Sequence, residues 1–204
     1  MTHVSKWRAT CLALGLAAVA PALAAQADGP GLFGVVDLGL AGFDDSERGS
    51  SHTMQSGMQS GSRWGLRGRE DLGEGLYARY HLESGVLATT GRSAQGGRLF
   101  GRGAWLGVGG AWGELRAGRQ TSVSSELLGE FDPFLASYLN LGAQTALLPF
   151  NANRADNTLA WRLPMPGPWR VAVDHSFDAT GTGGFATNSA NRLDSAALGY
   201  DDGA

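Results

Sequence analysis

The stretch SRWGLRGREDLGEGLYARYHLE, residues 62–83, decides the fold. In its first half Trp64 and Leu66 alternate with arginines, and in its second half Leu82 lies on the opposite parity to Arg79. Alternation with a period of two is typical of a β-strand with one apolar and one polar face. The segment DLGE between the halves has the composition of a tight turn. The stretch therefore predicts an antiparallel β-hairpin.

The same alternation recurs along the chain and predicts an all-β fold of eight strands. They lie within residues 31–43, 62–70, 75–83, 97–110, 113–120, 156–163, 169–177 and 192–200. The connections alternate in length, being tight at 71–74, 109–113 and 165–168 and long at 44–59, 84–97, about 121–153 and 178–191. Every second connection of an up-and-down sheet lies at the same end, so tight turns and long loops occupy opposite ends. This arrangement is typical of outer-membrane β-barrels.

A soluble secreted β-sandwich is the alternative, because its strands also have one apolar and one polar face. Tryptophans near strand ends favour the membrane barrel, where aromatic residues form girdles at the two interfaces. The tryptophans in question are Trp64, Trp105, Trp161 and Trp169.

The amino terminus has the three parts of a secretory signal peptide. Lys6 and Arg8 precede an apolar run at residues 9–20, and an Ala-Leu-Ala cleavage site follows. We expect residues 1–24 to be removed on export. The only cysteine, Cys11, lies in this segment, so the mature chain is expected to hold no disulfide.

Composition excludes several classes of protein. The 204 residues include 32 glycines and carry a formal net charge of -3, which disfavours a helix bundle and a basic nucleic-acid-binding protein. No internal run of 18 apolar residues is present, so a helical membrane protein is excluded. Metal-ligand spacings and hydrolase motifs are absent, so we expect no enzyme, cofactor or metal site. A barrel enzyme with a Ser/His pair near the rim, using His81, stays a minor alternative.

Five stretches carry a resemblance to a known family. They are LFGVVD (32–37), QSGSRWGLRGREDLGEGLYARYHLESG (59–85), GGRLFGRGAWLGVGGAWGELRAGRQ (96–120), FDPF (131–134) and RADNT (154–158). In these stretches the chain resembles the Gram-negative general porins, especially those of betaproteobacteria and neisseriae. The resemblance implies an antiparallel transmembrane barrel of sixteen strands in the outer membrane, in contact with its lipid and usually a homotrimer. It implies a water-filled channel for passive diffusion of small hydrophilic solutes and ions, and no nucleic-acid partner.

The resemblance also implies a constriction inside the barrel. The family's third loop folds into the pore, and the matching loop here is about residues 121–153. The wall arginines expected to line the constriction are Arg63 and Arg102, by match to the family, and Arg79, by parity. The opposing loop carboxylates are expected among Glu126, Glu130 and Asp132.

Arginines facing carboxylates across a narrow water-filled gap create a transverse electric field, in which polar solutes align. Arginine suits this role because its guanidinium stays charged at any working pH. The alternative is that the arginines pair with neighbouring acids such as Glu83 and Glu114 and only stiffen the wall.

Length raises a difficulty for a closed barrel. Eight strands use all of residues 25–204, yet the interior of an eight-stranded barrel is filled by side chains and has no room for an infolded loop. A sixteen-stranded barrel at the same spacing needs roughly 350 residues. We therefore expect residues 25–204 to be the amino-terminal half of a porin barrel that does not close alone, and the ending GYDDGA lacks the family's terminal aromatic residue. A small eight-stranded structural or adhesion barrel of the outer membrane is the alternative.

Overall fold

The computed structural model describes residues 29–45, 49–130, 153–181 and 191–200. The predicted signal peptide, residues 1–24, lies outside the described residues, as does much of the predicted constriction loop. No helix within the described residues is long and apolar enough to span a membrane.

The described chain forms eleven strands and one α-helix. In chain order they are β1 (Gly31–Val35), β2 (Leu38–Asp45), β3 (Gly49–Ser56), β4 (Arg63–Gly73), β5 (Leu76–Leu87), β6 (Arg92–Ser93), β7 (Gly103–Gly110), β8 (Gly113–Thr121), α1 (Val123–Glu130), β9 (Arg154–Leu163), β10 (Trp169–Ser176) and β11 (Leu193–Tyr200). A single 3-10 turn, Gln95–Gly97, lies between β6 and β7.

Eight of the strands form one antiparallel sheet in the order β1-β4-β5-β7-β8-β9-β10-β11. This order confirms the predicted eight-stranded up-and-down sheet, and the tight turns fall between β4 and β5, β7 and β8, and β9 and β10, as predicted. The first of these turns needs left-handed backbone at Gly73 (φ 84°), Glu74 (φ 52°) and Gly75 (φ 76°). Glycine adopts this conformation without the steric cost that a Cβ adds, which explains two glycines around Glu74.

The predicted loop at 44–59 is not a plain loop, and the predicted first strand is shorter than expected. The chain leaves the sheet after Val35 and forms a separate hairpin from β2 and β3. The Asp37 carboxylate closes the base of this hairpin by accepting the backbone N–H groups of residues 58–60 at 2.7–3.1 Å. Alternation across 31–43 had concealed the break, because Asp37 fits the polar parity of a strand.

The two faces of the sheet differ in character. The outer face carries exposed apolar side chains, such as Leu106, Leu115 and Trp161, which are 58%, 44% and 42% exposed. The inner face carries α1, which contacts β10 and β11, together with arginines, carboxylates and small residues. The larger side chains that are fully buried are Gln120, Ser122, Val123, Ser125, Thr158, Ser176 and Asp178. Most of them therefore lie in or beside α1 and on the strands that it covers.

Trp105 corrects one expectation about the aromatic girdle. Trp64, Trp161 and Trp169 lie on the outer face and are exposed, as an interfacial role requires. Trp105 instead lies on the inner face, where its ring stacks on His81 with a centroid distance of 5.5 Å. Strand parity, and not closeness to a strand end, decides which face a tryptophan occupies.

Candidate functional site

Two of the predicted wall arginines converge on one carboxylate at the long-loop end of the sheet. Arg63 at the start of β4 places Nε 3.5 Å from Glu83 Oε1, and Arg102 donates to the same oxygen through its own Nε. His81 Nε2 lies 2.9 Å from the other oxygen of Glu83. Arg102 shares the parity of the outward-facing Leu106, but it precedes β7 and its side chain reaches Glu83 on the inner face, so it does not follow the alternation of the strand.

A third arginine of this group, Arg154, was not singled out from the sequence. It begins β9, and its guanidinium interacts electrostatically with Arg63, Arg102 and Glu83. Its Nε is buried and has no hydrogen-bond partner among the described residues. Arg154 lies in the RADNT stretch, but the sequence around a single arginine at the start of a strand does not show which side chains will surround it in the fold. Two guanidinium groups therefore contact the Glu83 carboxylate, and that of Arg154 lies within electrostatic range of it.

Arg79 belongs to a second group, nearer the tight-turn end of the sheet. Its Nη1 lies 3.1 Å from Glu114 Oε2, and Arg116 donates to the other oxygen of Glu114. The Tyr77 hydroxyl donates to Glu114 Oε2 at 3.0 Å. Glu114 is only 5% exposed, and three donors compensate for the water that it has lost. The pairing of arginines with Glu83 and Glu114, which the sequence had offered as an alternative, is present in the structure.

The helix α1 brings one predicted loop carboxylate onto the inner face. Glu126 forms an ion pair with Arg162 of β9 and lies 3.8 Å from Nη1 of Arg116. Among the described residues it forms no ion pair with the three predicted wall arginines, but Arg116 links it to Glu114, the partner of Arg79. The other two predicted carboxylates are not located by the structure: Glu130 is the last residue of α1, and only its backbone is described, whereas Asp132 lies outside the described residues.

Contacts at its first turn and with β11 also hold α1 against the sheet. The N–H of Val123, the first residue of the helix, donates to Asp174 Oδ2 at 2.6 Å. The Ser122 hydroxyl accepts the N–H of Ser125 at 3.3 Å, which caps the helix. A Cβ on Gly199 of β11 would lie 2.9 Å from Leu127 Cδ1, so glycine at this position leaves room for the Leu127 side chain against the sheet.

Asp156 of β9 forms a further charged group that the sequence did not indicate. Arg98 Nη1 lies 2.6 Å from its Oδ2, and Arg119 Nη1 lies 2.6 Å from its Oδ1. Arg119 reaches this carboxylate because the register of β8 against β9 shifts between Gly118 and Gln120. Within the described ranges, no cluster of three His, Cys, Asp or Glu side chains is arranged to hold a metal ion.

An antiparallel sheet with an apolar outer face, a charged inner face and a helix folded against that inner face defines the wall of a transmembrane β-barrel with a wet interior. The comparisons with known proteins agree. The profile of the Gram-negative porins matches residues 10–204, and the chain belongs to this family. It is accordingly an outer-membrane protein, and its sheet is of the porin β-barrel type.

Three relatives illustrate the similarity. An outer membrane porin protein of Bordetella pertussis is 38% identical over 194 residues, which cover 84% of this chain and 50% of that protein. Outer membrane porin protein 32 of Delftia acidovorans is 31% identical over 207 residues, covering 94% of this chain and 56% of that protein. The solved anion-selective porin from Comamonas acidovorans superimposes with a TM-score of 0.70 at 30% identity, covering 86% of this chain and 54% of that one. The chain thus spans about half the length of the curated relatives it matches.

Proposed function

We propose that the inner face of the sheet lines a water-filled channel through which small hydrophilic solutes and ions diffuse passively, with a preference for anions. The observation that carries this proposal is the pairing of two arginines, Arg63 and Arg102, with the single carboxylate of Glu83, with Arg154 within electrostatic range. An excess of fixed positive charge beside a narrow aqueous path raises the local concentration of anions and lowers that of cations. The similarity to a porin described as anion-selective supports the same preference for anions.

The eight strands are proposed to form one part of a longer barrel wall, and the complete porin to be a homotrimer. In support, β1 and β11 each have one partner strand in the described sheet, and an open strand edge is costly in hydrocarbon. Residues 1–24 are proposed to be the export signal, and the loop at about 121–153 to form the constriction. The packing of α1 against β10 and β11 supports this role for the start of the loop.

A catalytic role has less support than a channel. Among the described residues, His81 makes its side-chain hydrogen bond to Glu83, and His175 makes its own to Asp194 at 2.6 Å. Neither histidine pairs with a serine there, as an activated serine nucleophile would require. We therefore propose that the protein is a channel and not a rim enzyme.

The test measures ion selectivity of the porin, expressed in its complete reading frame and inserted into planar lipid bilayers. In a potassium chloride gradient the reversal potential should show anion preference. Neutralising Arg63, Arg79 and Arg102 together to glutamine should move it towards cation preference. Arg92→Gln, on the exposed strand β6, is the matched control and should leave it unchanged. An unchanged reversal potential in the triple variant would return the arginines to a purely structural role and overturn the proposed selectivity.

A further inference from the structure

Three aromatic rings lie side by side on the inner face, at neighbouring positions of β1, β5 and β7. Phe33 stacks on His81 with a centroid distance of 5.4 Å and an interplanar angle of 29°. His81 stacks on Trp105 at 5.5 Å and 13°. We call Phe33, His81 and Trp105 the aromatic row. Its members are only partly buried.

Glycines in the sheet make room for the row. Phe33 and His81 lie on strands that β4 separates, and the ring of Phe33 reaches across Gly65 of β4. A Cβ on Gly65 would lie 2.6 Å from Phe33 Cζ, and a Cβ on Gly103 would lie 3.0 Å from His81 Cδ2. Side chains at either glycine would displace the rings. The row is therefore specified by several positions of the sheet together.

A guanidinium group lies at each end of the row. Arg116 Cζ lies 4.3 Å from the centroid of the Trp105 ring, and Arg67 Cζ lies 5.1 Å from that of Phe33. Arg116 is neutralised by Glu114, whereas Arg67 forms no ion pair with any described carboxylate. Arg67 is also exposed. One end of the row thus presents an available cation next to an aromatic surface.

We propose that the aromatic row and Arg67 form a contact site for planar aromatic carboxylates that pass through the channel, an assignment that rests on the proposed channel function. The ring of such a solute gains aromatic contact with Phe33, and its carboxylate accepts hydrogen bonds from the guanidinium of Arg67. Charge complementarity selects an anion, and the rings select an aromatic one. The helix α1 does not cover this contact site, because it packs on β10 and β11, at the far end of the sheet from β1, β4 and β5.

The test compares benzoate with cyclohexanecarboxylate, which has the same charge and nearly the same size but no aromatic ring. Each acid is added to bilayers that contain the complete porin, and its half-blocking concentration for the chloride current is measured. An aromatic contact is worth a factor of about 2 to 10, so benzoate should block at a concentration lower by roughly that factor. Arg67→Gln should raise the half-blocking concentrations of both acids by a similar factor, because it removes the cation that both carboxylates contact.

The variant Phe33→Leu should bring the two half-blocking concentrations together. Trp64→Leu, on the outer face of β4, is the control and should preserve the difference. Equal blocking by the two acids in the unsubstituted porin, or a preference for benzoate that persists in Phe33→Leu, overturns the contact site. Neither result contradicts the proposed channel function, because the chloride current itself is measured in the same experiment. The absence of a chloride current would instead refute the proposed function.

Discussion

Replacing Asp174 by alanine should loosen α1 from the inner face of the sheet. The Asp174 carboxylate is 6% exposed and accepts the N–H of Val123 at 2.6 Å, so alanine leaves that N–H without its acceptor. Loss of a capping acceptor and an unsatisfied donor together cost about 2 kcal/mol. The ratio of docked to detached α1 should then fall about 30-fold, since 1.4 kcal/mol corresponds to a factor of ten. Asp174→Asn, which keeps an acceptor oxygen, should have a smaller effect.

The assay follows the reaction of a cysteine introduced at Val123 with a water-soluble maleimide. Val123 is 2% exposed when α1 is docked, so its modification requires transient detachment, and the rate reports the detached population. The rate should rise about 30-fold in Asp174→Ala relative to the same cysteine in the parent protein. A cysteine at the exposed position Arg92 should react equally fast in both backgrounds. A rate at Val123 that changes by less than about twofold would refute the idea that Asp174 holds the helix.

Two further perturbations address charge and the hairpin. Glu83→Gln removes the carboxylate that pairs with Arg63 and Arg102. The anion-to-cation permeability ratio, measured from reversal potentials, should rise about fourfold in 0.1 M salt, the effect of removing a screened unit charge about 6 Å from the ion path. A fall in this ratio would contradict the prediction. Asp37→Ala removes the acceptor for the N–H groups of residues 58–60 and should make the β2–β3 hairpin markedly more sensitive to limited proteolysis, whereas unchanged cleavage would show that the carboxylate is dispensable.

The sequence was sufficient for the sheet because alternation and turn chemistry act locally. The hairpin of β4 and β5, with its turn at Glu74, follows from residues adjacent in the chain. The β2–β3 hairpin was missed because the segment GSSHTMQS has no apolar alternation, and its pairing depends on its partner strand and on Asp37. Strand identity was therefore predictable wherever one face must be apolar.

The site was only partly predictable because its partners are distant in sequence. Parity oriented Arg79 towards the inner face, and it does lie beside Glu114, 35 residues further along. The environment of Arg102 depends on a bend before β7, and that of Arg154 depends on three arginines and one carboxylate brought together by the sheet. Spacing along the chain contains no information about such convergence. The position of Glu126 beside Arg162 likewise follows from how α1 packs.

The most direct test of the account is whether the inner face of the sheet meets water. Cysteines at the consecutive positions Leu115, Arg116 and Ala117 of β8 sample both faces of one strand in the complete porin. A membrane-impermeant, charged thiosulfonate should modify the cysteine at 116 and reduce the single-channel current, while the cysteines at 115 and 117 stay unmodified in the bilayer. Modification at 115 and 117 with protection at 116, or equal modification at all three, would contradict a channel lined by this face.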